Sequence, residues 1–216
     1  MARYDRIARI DPPARENAFG GWLTLRDLEG REREPELGRR ARLRYLALRP
    51  VRRLLERGLD ALDPASFQHQ LDSVREELGQ LPSRDPERQI LADYLKQVGG
   101  RAPRGVVQAT LDVGAAAEAS GHTYAAEEFY RTGLELTQRH GLDGLHVQAL
   151  RAIGRIHRRR GEWDEAVGLL ERAATLAEEQ DDLVEWARAL DGIAAARLQA
   201  GDRDAARSTL DDIAAR

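Results

Sequence analysis

Gly161-Glu162-Trp163-Asp164-Glu165-Ala166 is the stretch from which the rest of the chain can be read. Gly154 stands seven residues before Gly161, and Leu170 nine residues after it. The same frame recurs 40 residues to either side, as Gly114, Gly121, Ala126 and Tyr130 upstream and as Ala194, Gly201, Ala206 and Leu210 downstream. Self-similarity at a fixed period of this size marks a repeat architecture. Gly121, Gly161 and Gly201 each close a run of helix-compatible residues, where a left-handed residue ends a helix without a Cβ penalty. The small residues seven positions earlier have a different cause. A glycine inside a helix costs about 1 kcal/mol relative to alanine, so Gly114 and Gly154 point to close approach of an antiparallel partner helix. Each unit therefore reads as helix, glycine turn, helix. Leu150, Ile153, Ile156 and His157 form the packing face of one helix, and Trp163, Ala166, Leu169, Leu170 and Ala173 that of the next.

With Gly154 before it and Ala173 after it, the 161–166 segment resembles the core of a tetratricopeptide repeat. Gly121-His122-Thr123-Tyr124-Ala125-Ala126 and Gly201-Asp202-Arg203-Asp204-Ala205-Ala206 are weaker copies. The resemblance covers about residues 105–216 and implies an all-α fold, an α-solenoid of antiparallel helix hairpins. It also departs from the family. The period is 40 in place of about 34, the closing proline is absent, and the large residues early in the first helix are replaced by Thr110, Leu150 and Leu190. A longer period implies longer helices, similar to the repeats of bacterial peptide-sensing regulators and kinesin light chains, which bind peptides or protein segments. Arg197 falls where Ala117 and His157 pack, so the third unit is expected to be looser or differently tilted.

Upstream, Asp63-Pro64 opens a run with Phe67, Leu71, Val74 and Leu78 on one helical face. Ser83 and Asp85-Pro86 open another, with Ile90, Leu91, Tyr94, Leu95 and Val98. Their joint near Leu81 lies about one period before Gly121, so residues 63–100 are expected to be a helix pair and a degenerate repeat. Gly99-Gly100-Arg101-Ala102-Pro103 then punctuates the chain. The repeats are expected at 105–144, 145–184 and 185–216, after an N-terminal arm and basic helical region over 1–62. Within that region Glu36 to Leu59 reads as a helix interrupted or kinked near Pro50. Arg39, Arg40, Arg42, Arg44, Arg49, Arg52, Arg53 and Arg57 stud it. Residues 10–35, with Pro12-Pro13 and Gly20-Gly21, read as an arm that docks a few apolar side chains.

Residues 1–60 carry 15 arginines against 10 acidic residues, and residues 61–216 carry 19 basic residues against 27 acidic ones. The basic half could present Arg49, Arg52 and Arg53 to nucleic acid or another anionic surface. A solvated helix face in an arginine-biased chain explains the same run, since Lys96 is the one lysine among 34 basic residues. The absence of cysteine removes disulfides and thiolate metal sites. With no apolar run behind Met1 and none of membrane-spanning length, the expected compartment is the cytoplasm, without membrane insertion. The histidines, His69, His122, His140, His146 and His157, show no metal-binding spacing, and His157 reads as a core or half-buried residue. No phosphate-binding glycine loop or nucleophile elbow is present. The expectation is a non-catalytic chain without a cofactor or metal.

What remains is a surface. The resemblance implies that the first helices of successive units line a concave groove, and the middle unit would then present Gln148, Arg151, Arg155, Arg158 and Arg159. Arginines at i and i+4 share one helical face, and a guanidinium fork suits bidentate pairing with carboxylates. The neighbouring sets differ: Gln108, Leu111, Ala115, Glu118 and Ala119 before, and Arg188, Asp191, Ala195, Leu198 and Gln199 after. The partner expected is a protein or peptide segment, acidic in character, unless Glu118 or Asp191 neutralises the arginines. Solenoid ends need a polar cap. Leu210 and Ile213 of the last helix therefore await cover by a partner, a second copy, the N-terminal helices or further chain.

Overall fold

The computed structural model describes Leu43, Arg44, Leu46, Ala47, Pro50, Val51 and residues 64–215, the first six being helical. The arm over 10–35 and Arg49, Arg52 and Arg53 lie outside the described residues. Among these residues there is no strand, and eight helices follow in order: α1 (Pro64–Gly79), α2 (Pro86–Gly100), α3 (Pro103–Ala119), α4 (Thr123–His140), α5 (Asp143–Arg159), α6 (Trp163–Glu179), α7 (Leu183–Ala200) and α8 (Arg203–Ala214). Consecutive helices pack on one another from α5 to α8, and α7 also touches α5 across α6. The fold is an all-α helical repeat.

From Pro103 onward a new helix starts every 20 residues, which is half the period read from the glycines. The turns explain this beat. Positive φ values fall at Arg101, Gly121, Gly141, Gly161, Asp181 and Gly201, each 20 residues from the last. After each turn from Gly121 onward, the next residue closes one helix and opens the following one. The N–H groups of His122, Leu142, Glu162, Asp182 and Asp202 donate to carbonyls five residues back. Their own carbonyls accept from Ala126, His146, Ala166, Trp186 and Ala206. This is the six-to-one closure of a Schellman turn fused to the first bond of the following helix. Asp182 and Asp202 add side-chain caps, accepting from the N–H groups of Glu185 and Ala205 at 3.0 Å.

The chain reverses within the 99–103 stretch, though not on its glycines. Both glycines end α2 in helical conformation, and Arg101 takes the left-handed turn at φ 54°. Pro103 fixes the start of α3, Ala102 before it is extended, and the reversal therefore falls on the residue before Ala102. The Arg101 guanidinium lies 4.8 Å from the Phe67 ring centre, a cation–π contact that holds the turn.

Two compact units divide the chain, residues 1–102 with 112–129, and residues 103–111 with 130–216. In the first, Phe67, Leu71, Val74, Leu78 and Leu81 of the α1 hairpin are buried, as are Leu91, Tyr94, Leu95 and Val98 of α2. Tyr94 meets Phe129 edge to face at 6.0 Å and donates its hydroxyl proton to the Ala47 carbonyl at 3.0 Å. Arg44, one of the eight N-terminal arginines, is buried and has a partner; for this one the solvated-face reading fails.

The second unit packs through small residues. A Cβ on Gly154 would lie 2.8 Å from Leu170 Cγ and 3.3 Å from the Ala166 carbonyl, and one on Gly192 would lie 3.1 Å from Leu170 Cδ1. Leu170 of α6 is thus wedged between a glycine of α5 and a glycine of α7. Below it Val147, Leu150, Ala173, Ala174, Ala177, Trp186 and Ala189 form a continuous core. Thr110, in place of a large residue, is buried with its hydroxyl bonded to the Val106 carbonyl at 2.7 Å. Arg197 does not leave a gap: it donates to Thr209 Oγ1 at 2.7 Å and to Glu171 Oε1 at 3.1 Å, tying α7 to α8 and α6.

A candidate protein-binding groove on α5, α7 and α8

The groove lies wholly within the second unit and encloses about 660 Å³. Arg151, Arg155 and Arg158 come from α5, and Leu170 from α6. α7 supplies Ala187, Arg188, Asp191 and Gly192, and α8 supplies Leu210, Ile213 and Ala214. One wall is cationic because residues i, i+4 and i+7 of α5 fall on the same face. The other is apolar because Leu210 and Ile213 continue the face of α8 that buries Ala206 and Thr209, and at its C-terminal end that face stays partly open. The size is that of a site for a small ligand or a few residues of chain.

The arginines are not equivalent. Arg151 Nε lies 2.8 Å from Glu185 Oε2, and Arg188 Nη1 donates to Glu185 Oε1 at 2.7 Å. Glu185 is 7% exposed. The Arg151 N–H does not point at its oxygen, so the contact is ionic and both atoms are buried without a well-formed hydrogen bond. Burial pulls the Arg151 guanidinium below its ordinary value; Glu185 opposes that shift, and Arg188 and Arg155 add to it. Even so, an arginine stays protonated. Arg155 reaches the Tyr130 hydroxyl at 3.5 Å, the limit of a hydrogen bond, and has a further partner. Arg158 makes no side-chain hydrogen bond or ion pair with any described residue. With Arg151 and Arg188 on Glu185 and Arg155 already engaged, the positive charge left facing the groove is that of Arg158.

Of the five residues the sequence places in the groove, Arg151, Arg155 and Arg158 line it, while Gln148 and Arg159 are exposed outside its lining. Leu111 and Glu118, expected on the neighbouring surface, are buried. The carboxylate that engages Arg151 is Glu185. Its signal was present in the repeat frame, because Glu185 stands 40 residues after Leu145, a core position. The structure also joins two features that look separate in the sequence, since the open face of α8 is one wall of the arginine groove. His157 is half-buried as expected, with Nδ1 2.7 Å from Glu162 and Nε2 3.5 Å from Arg131. Among the described residues no cluster could hold a metal ion, and no helix is long and apolar enough to cross a membrane.

The family model for the tetratricopeptide repeat matches residues 149–184, which span most of α5 and all of α6. The α5–α6 hairpin is therefore a tetratricopeptide-type repeat, set within a regular beat of helix hairpins. Repeats of this class are protein-interaction modules and typically have no catalytic chemistry of their own. Among solved structures the chain is similar to BtubC (BKLC) from P. vanneervenii, at 16% identity and a TM-score of 0.48, over 92% of this chain and 88% of that one. No curated protein matches the chain.

Proposed function

We propose that this protein is a non-catalytic interaction scaffold whose groove on α5, α7 and α8 holds an acidic segment of a partner protein. The observation that carries this reading is the Arg158 guanidinium, without a partner among the described residues, facing an apolar wall. A carboxylate of the segment pairs with Arg158, and its apolar side chains cover Leu210 and Ile213. A guanidinium that is part-buried against apolar neighbours gives stronger pairing than one in open water, while the apolar wall contributes in proportion to the area removed from water.

Fluorescence anisotropy with a labelled peptide Asp-Asp-Ser-Leu-Leu tests this reading. The wild type is expected to bind it about tenfold or more tightly than the Asn-Asn-Ser-Leu-Leu analogue, a difference of about 1.4 kcal/mol. Arg158→Glu should remove that preference and leave the thermal melt unchanged. Equal binding of the two peptides contradicts the proposal.

A further inference from the structure

Glu185 is a charged residue at the position that the preceding repeat fills with the core residue Leu145, and it sits behind a groove whose ligand is expected to be acidic. A buried carboxylate without a partner costs several kcal/mol; here two groove arginines neutralise it, Arg151 at 2.8 Å and Arg188 at 2.7 Å. Both guanidiniums are therefore engaged before any ligand arrives. The charge that faces the groove without a partner among the described residues is that of Arg158, seven residues further along α5. Seven residues of helix span about 10 Å, so the groove has two ends of different character.

The hairpin geometry sets which apolar residues lie at which end. α7 and α8 run antiparallel from the turn at Gly201, so Leu210, Ile213 and Ala214 lie level with the middle of α7, where Ala187 and Gly192 also line the groove. The Arg151 end is thus both neutralised and apolar, and the Arg158 end is cationic.

We infer that Glu185 is a specificity-determining residue, a built-in carboxylate that withholds Arg151 and Arg188 from the ligand. It makes one end of the groove select an apolar side chain while acidic groups are read at the Arg158 end. The inference rests on the proposed binding of an acidic segment and says which part of that segment goes where. An extended chain rises about 3.3 Å per residue, so the two recognition ends are about three residues apart, and Asp-Asp-Ser-Leu-Leu spans them.

Glu185→Gln keeps the shape and removes the charge, and it frees both arginines. The expected result is binding of Asp-Asp-Ser-Leu-Leu tightened several-fold, a larger gain for Asp-Asp-Asp-Asp-Asp, and no change for Asn-Asn-Ser-Leu-Leu. Adding both Arg151→Gln and Arg188→Gln to Glu185→Gln should cancel the gain. Should Glu185→Gln fail to fold, the exposed Arg188 provides the second test: Arg188→Gln should change affinity for Asp-Asp-Ser-Leu-Leu less than twofold, while Arg158→Gln weakens it about tenfold. Unchanged or weaker acidic binding in a folded Glu185→Gln protein overturns the inference alone, as does an Arg188→Gln loss equal to that of Arg158→Gln. Absence of acidic preference in the wild type overturns the proposed function first and this inference with it. A dimer by light scattering that Leu210→Glu splits and the peptide does not would place a second copy in the groove and overturn both.

Discussion

The α5–α6 and α7–α8 hairpins carry the same repeat frame and use it for opposite ends. Leu170 and Leu210 occupy the same position 40 residues apart, yet Leu170 is 3% exposed and Leu210 is 49% exposed. The difference lies in the neighbours. Leu170 has a glycine on each side, Gly154 before it and Gly192 after it, so two helices close over its side chain. Leu210 has the preceding helix on one side and the groove on the other. A slot that serves packing inside the array becomes a binding wall where it stays open.

Truncating the two leucines is the strongest way to break this comparison. Leu170→Ala is expected to destabilise the protein by about 2–5 kcal/mol, as large-to-small core changes do. Leu210→Ala should stay within about 0.5 kcal/mol, as exposed positions do. Urea unfolding of both variants measures the contrast, and similar losses would refute it. The glycines sharpen the same point. Gly154→Ala should destabilise by about 1–3 kcal/mol, because the added methyl meets Leu170 and a backbone carbonyl. Gly168→Ala, with nothing within 4 Å of the new Cβ, should stabilise by about 0.5–1 kcal/mol through helix propensity. Thermal melts of the pair decide it.

Smaller effects belong to the turns and to one histidine. Asp202→Ala removes the cap on α8 and is expected to cost about 1 kcal/mol. His146 sits at the start of the matched hairpin, where Thr137 Oγ1 uses its one proton on the Leu134 carbonyl at 2.6 Å and accepts from the His146 Nδ1–H at 2.8 Å. Burial, and then the charge of Arg172, hold its pKa below the ordinary value, while Asp143 pulls the other way. The unfolded chain therefore takes up this proton first as the pH falls. The neutral imidazole adds stability above about pH 6.5, the unfolded value, and that stability is lost as the pH drops through the lower folded value. His146→Gln should flatten this part of the stability profile between pH 7.5 and 5, measured by urea titrations, and an unchanged slope would count against it.

Much of the array is legible in the sequence, because its strongest constraints fall on glycine. Gly121, Gly161 and Gly201 mark turns that favour a left-handed residue, and Gly154 marks a contact that no Cβ fits. The alternate turns are harder to see. Of Arg101, Gly141 and Asp181 only one is glycine, and a short polar side chain such as Asp181 tolerates the same conformation at modest cost. The 20-residue beat is therefore visible in the backbone hydrogen bonds and half hidden in the residues. The groove is legible on one wall. Arg151, Arg155 and Arg158 follow from helical spacing, but their inequivalence depends on Glu185, which reaches Arg151 from another helix. No local pattern announces such a contact, although a glutamate in the frame position of Leu145 is a departure that points to one. Arg197 teaches the converse: an arginine in a small-residue position reads as a defect and is instead a bridge between Glu171 and Thr209.

The central claim is that the arginine wall and the open face of α8 form one binding surface. Amide chemical-shift mapping tests it most directly, titrating Asp-Asp-Ser-Leu-Leu into the labelled full chain. The account predicts that shifts cluster at Arg155, Arg158, Arg188, Leu210 and Ile213, and that they vanish in Arg158→Glu. Shifts confined to the segment around Arg49, Arg52 and Arg53, with the groove silent, would contradict it.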